Sequence, residues 1–437
     1  MSSTTRINSS AALALTLLMT LFRISAAQQT INIEIDYMVL RDAQNHTLHT
    51  HRPQPEEIAA VVQMFACHDI IVNIDVDDSI PHQDVICPDP NGLQGFFSYT
   101  GMTGFGRIKN QYYDHVGQAG WHYCVFAHNY SLNKDCTPTG SSGIAELGGD
   151  DLIVSLGSGN NTGTPFDRAA TLAHEFGHNL GLTHCGGPGC GEAENYKPNF
   201  PSIMNYRYQL NGVRAQLEFI GLTPIALNFF KNIDYSGGNM CFLNEMGLDE
   251  VFGSGMKSVD WDCNGVISGV GSGNLNGGSD TSWCNSAGAA TGLTDYNEWQ
   301  QVRDHIAKSG SKPITDDEVF PIQSCLTWDG FQQLSTRSPR QPQPALEIEP
   351  CAPAQMIYLK STTILPSGGS CDAPYQNITQ TLGPLGVPPG SILYLAPGVY
   401  VEPAGPLILT KPMTITAVGT AIVTVAPSAT HGNEVKK

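Results

Sequence analysis

Residues 174–184 read HEFGHNLGLTH, and no other stretch of the chain restricts local structure and chemistry so tightly. His174 and His178 are four apart, so on an α-helix they leave the same face one turn apart and can share one metal ion. Glu175 lies between them, turned away from the pair, where its carboxylate can hold a water at that ion. Gly181 then predicts the helix end, because glycine accepts the left-handed conformation of a sharp C-terminal turn. The chain can swing back there and bring in His184 as a third nitrogen ligand. Three imidazoles on a tetrahedral zinc leave one position open, which marks catalytic rather than structural zinc.

The zinc helix has a legible start. Thr164 suits the N-cap, Pro165 the first helical position and Asp167 the third, where its carboxylate can answer the cap. Downstream, residues 202–206 read SIMNY. With HExxHxxGxxH, this stretch resembles the metzincin clan of zinc endopeptidases, in which a methionine turn lies beneath the metal. The resemblance covers roughly residues 30–253. It implies an α/β (α+β) catalytic domain with a mixed twisted sheet and an active-site helix, and hydrolysis of protein or peptide substrates. His174, His178 and His184 are then the zinc ligands, Glu175 the general base and Met204 the turn residue. Tyr206 stands at the offset of a tyrosine that approaches the metal in some of these families; a packed core tyrosine is the other reading.

Strand-like alternation over Ile31–Leu40 predicts a strand with one buried face, helical spacing over Glu56–Phe65 a helix, and Ile70–Val76 a second strand. Further strands are expected at His122–Phe126 and Asp151–Leu156. The resemblance makes Ser142–Leu147 the sheet edge on which an extended substrate can pair. Leu and Glu spacing in residues 233–253 predicts a helix closed by Gly253, where the catalytic domain is taken to end.

Residues 260–267 read DWDCNGVI. Asp260, Asp262 and Asn264 alternate oxygen ligands and Gly265 supplies the turn, as in EF-hand-like calcium loops. The twelfth position is Gly271 rather than Glu, so a distant carboxylate, Asp295 or Glu298, has to complete a shell; an Asx-rich turn without metal is the alternative. Residues 335–350 form a Pro-rich linker. Strand-like runs in 351–437 resemble the opening coils of a pectate-lyase-type parallel β-helix, which implies a small β-rich module for binding or structure, with polysaccharide as a contact.

At the N-terminus, Arg6, the apolar run Ala11–Phe22 and Ser25-Ala26-Ala27 predict a secretory signal peptide over residues 1–27, too short to span a membrane. Twelve cysteines behind such a segment predict disulfides. Cys185–Cys190 and Cys124–Cys136 are the nearest pairs. A net charge of −18, from 22 basic against 40 acidic residues, argues against nucleic acid or anionic membrane as partner. The expected order is thus signal 1–27, catalytic domain 28–253, accessory segment 254–334, linker 335–350 and β-module 351–437. A non-catalytic adhesion or polysaccharide-binding protein, with the zinc domain as scaffold, is the competing reading.

Overall fold

The computed structural model describes residues 29–158 without a break, most of 162–276 and 292–327, and short stretches between 345 and 425. The signal-like segment lies outside the described residues. Among those described, no helix is long and apolar enough to cross a membrane.

The architecture is α/β. Strand β1 (Gln29–Arg41) is the spine, with β3 (Ile70–Pro81) and β4 (Trp121–Ala127) parallel on either side and the short β2 (Thr47–Thr50) antiparallel at its end. Parallel β6 (Asp151–Ser155) follows β4, and antiparallel β5 (Gly143–Glu146) follows β6. Helices α1 (Pro55–Ala66) and α3 (Pro165–Asn179) share one core with Ile31, Ile33, Ile35 and Leu152. Helix α2 (Phe105–Tyr112) belongs to a second core, with Met38, Tyr123 and Ile153.

This second core corrects the expectation of a single buried face on β1. Glu34 and Asp36, the polar half of the alternation, are fully buried. They are retained because they are bonded: Glu34 accepts from the Asp114 amide and contacts His115, and Asp36 accepts from Tyr123 Oη at 2.6 Å.

Two further expectations change. Residues 243–251 form no helix; β7 (Leu243–Asn244) and β8 (Leu248–Asp249) pair with β10 (Gly292–Leu293) and β9 (Val270–Gly271). Core packing also crosses the expected boundary at residue 253. Trp299, Val302 and Ile306 of α4 (Glu298–Ser309) join the core of α1 and α3, and Trp299 stacks on His68 at 3.7 Å. Strand β11 (Ile322–Ser324) pairs antiparallel with the outer side of β5. Ser142–Leu147 is therefore not a free edge; an exposed ladder is a liability, and a later segment covers it.

Cys185–Cys190 is bridged as expected, whereas Cys136 bridges Cys87 and Cys124 is a buried free thiol. Cys124 sits inside β4, its side chain enclosed by the core. In 351–437 the described strands β12 (Met356–Leu359), β13 (Ile392–Leu395) and β15 (Thr414–Ala417) pair in parallel, as do β14 (Gly398–Glu402) and β16 (Ala421–Val425).

Candidate metal centre

Helix α3 begins as its sequence dictates: Thr164 Oγ1 accepts from the Asp167 amide, and Asp167 Oδ2 accepts from the Thr164 amide at 2.9 Å. Arg168 anchors it to α1 through Glu57, with Nε 3.0 Å from Oε2. At the far end Gly181 takes φ +85°, its amide donating to His178 O. The chain turns back there and delivers His184. The rings of His174, His178 and His184 then lie with centroids 4.7–5.2 Å apart, all buried.

Backbone carbonyls aim these rings. His174 Nδ1 donates to Ile203 O at 2.7 Å, and His178 Nδ1 donates to Leu182 O at 2.8 Å. Each bond fixes the tautomer that leaves Nε2 a bare lone pair, the arrangement common to metal-ligating histidines. Burial holds His174 and His178 well below the usual imidazole range, so both are neutral. Their Nε2 atoms face each other at 3.1 Å. Two nitrogens bound at 2.0–2.1 Å on a tetrahedral ion stand about 3.3 Å apart, so the donor set fits zinc.

Met204 is buried directly beneath the helix: a Cβ on Gly177 would come within 2.5 Å of its sulfur. Gly177 thus admits the methionine turn between the turns that carry His174 and His178, while the preceding carbonyl, Ile203 O, holds His174. The Tyr206 ring lies 4.3 Å from His184 and 6.1 Å from His174. Glu175 is buried against β5, where a Cβ on Gly143 would sit 2.2 Å from its Oε1. Asn179 ties the end of α3 to the sheet, its Nδ2 donating to Glu146 O and Asp151 O. Sequence reasoning named the three histidines, Glu175, Met204 and Tyr206. It missed Gly143, Gly177, Asn179 and the two orienting carbonyls, which depend on neighbours far along the chain.

At the Asp260 loop the neighbouring carboxylate is not the expected one. Asp260, Asp262 and Asn264 do lie together, but their oxygens accept from loop amides, including Gly265 N to Asp260 Oδ2 at 2.8 Å. Glu250, not Glu298, brings a carboxylate to them, within 4.8 Å. Asp295 is half-buried and Glu298 fully buried elsewhere. Asp295 accepts from Ser236 Oγ and the Met240 amide, and Glu298 from the Ser236 amide. Burial raises Glu298 to about 8.

No protein-family model matches the chain, and no curated protein does. Among solved structures, a zinc-dependent peptidase from Methanocorpusculum labreanum is similar at 17% identity, covering 37% of this chain and 85% of that one, with a TM-score of 0.21. That likeness is too slight to carry an argument.

Proposed function

We propose that the chain is a secreted zinc-dependent endopeptidase of metzincin type, its catalytic unit running from β1 to β11. The observation that carries this reading is the meeting of three buried imidazoles, two of them neutral and aimed by backbone carbonyls, beside a buried glutamate. His174, His178 and His184 would hold the metal. Bound there, zinc supplies a Lewis acid that polarises the scissile carbonyl and acidifies water. Glu175 takes a proton from the attacking water and passes it to the leaving amine. Gly143 leaves the space this carboxylate needs. Met204 forms the floor and moves no proton. Tyr206, ring to ring with His184, is the candidate donor to the developing oxyanion.

Because β11 takes the outer side of β5, an extended substrate pairs with that strand only where β11 yields it. Export is supported by the basic, apolar and small-residue order of residues 1–27 and by bridges such as Cys87–Cys136 and Cys185–Cys190. The Asp260 loop is a candidate calcium site with Glu250 as its outer carboxylate, and 351–437 a candidate polysaccharide-binding module.

The decisive test is Glu175→Gln. Zinc content should persist while casein hydrolysis falls by about 10²–10⁴. Undiminished proteolysis in a zinc-loaded variant rejects the assignment.

A further inference from the structure

Four other histidines, none shared with the centre above, converge where β1, β2, β3 and β4 end. His49 lies in β2, opposite Leu40 of β1. His51 follows β2, its amide donating to Met38 O, and His82 follows β3, its amide donating to Val39 O. His128 follows β4. Three are half-buried and His51 is buried.

Their mutual geometry is informative. The six distances between ring centroids all fall between 4.4 and 5.6 Å. Four points that are nearly equidistant from one another can only approximate a tetrahedron. One ring nitrogen from each lies within 4.8 Å of the other three.

Hydrogen bonding does not account for the cluster. His51 Nε2 is approached by His49 Nε2 at 2.8 Å and by His128 Nδ1 at 3.3 Å. An imidazole nitrogen has either one lone pair or one proton, so it serves only one of them. His82 Nε2 is buried with no hydrogen-bond partner at all. A buried orphan nitrogen and a doubly approached one are both satisfied by a cation among them.

We propose that His49, His51, His82 and His128 form a second zinc site. Four imidazoles suit a tetrahedral divalent ion of borderline softness and leave no open position, so the site is structural. It clamps the hairpin of β1 and β2 to the ends of β3 and β4, which no disulfide among the described residues joins directly to that hairpin. This inference does not depend on the peptidase reading.

The test uses the full chain with His174→Ala and His178→Ala, which removes the first centre. That protein should retain one zinc per chain by elemental analysis after gel filtration. Cobalt in its place should give the intense visible absorption of a tetrahedral all-nitrogen complex. Adding His82→Ala and His128→Ala should abolish both. The wild-type chain should hold two zinc ions and the milder His49→Ala variant one, which covers failure of the multiple variants to fold. Zinc-free protein in the first variant despite native circular dichroism, or zinc undiminished in His49→Ala and in the His82→Ala, His128→Ala chain, overturns the proposal.

Discussion

Gly143→Ala tests the geometry of the proposed base without touching a metal ligand. The added methyl would lie 2.2 Å from Glu175 Oε1 and 2.6 Å from Ile153 O. Carbon and oxygen in contact stand about 3.3 Å apart or more, so the carboxylate must retreat by about 1 Å. The Ile153 carbonyl has less freedom, because β6 is held by β4 on one side and β5 on the other. Misplacing a reacting group by about 1 Å costs on the order of 10²-fold in rate. Overpacking of this kind costs about 1–3 kcal/mol of stability. We expect kcat on a quenched fluorescent peptide to fall about 10²-fold, with KM and zinc content little changed and a lowered Tm. In a Glu175→Gln background the same substitution should cost almost no further activity, since both act through one carboxylate. Wild-type kcat in folded Gly143→Ala, or full additivity in the double variant, would refute the reasoning.

Gly177→Ala drives a methyl towards Met204 Sδ and should lower zinc affinity, read by competition with a chromogenic chelator. Unchanged affinity would free the methionine turn from any role in setting the ligands. Pairing Gln323→Pro with Ser324→Pro removes the β5-facing amide of β11 whichever of the two carries it. Cleavage of an extended peptide should then speed up several-fold relative to a dipeptide derivative; no change separates β5 from substrate binding. Glu298 has a folded pKa of about 8 against an ordinary 4.5, so its folded state favours the neutral acid. Its contribution is intact at pH 4.5 and is lost as pH rises towards 8, by up to a few kcal/mol. Glu298→Gln should therefore flatten the fall of Tm between pH 5 and 8, and an unaltered slope would contradict this. Calcium should stabilise the metal-stripped chain, and Glu250→Gln should weaken that effect; absence of any calorimetric heat leaves the Asp260 loop as a turn.

The histidine-bearing helix α3 was the most legible part of the chain because its information is local. Capping by Thr164 and Asp167, the four-residue spacing of His174 and His178, and the glycine turn at Gly181 all act within about five turns of helix. The strands β1, β3, β4 and β6 were legible by the same logic of short-range pattern. Failures arose where the deciding partner was remote. Glu34 and Asp36 looked solvent-facing until Tyr123 and Asp114 closed over them. The 243–251 stretch had helical spacing, yet it pairs as strands with residues 270–271 and 292–293.

By itself, then, the sequence determined the residues that could meet a zinc ion, the helix presenting two of them and the acid between. Spacing along one helix is geometry already. Only the tertiary structure decided which carbonyls aim those rings, that Gly143 makes room for Glu175, that β11 covers β5, and that His49, His51, His82 and His128 come together. Those outcomes depend on segments tens to hundreds of residues apart being packed side by side by the shared core. No local pattern records which distant neighbour that packing supplies.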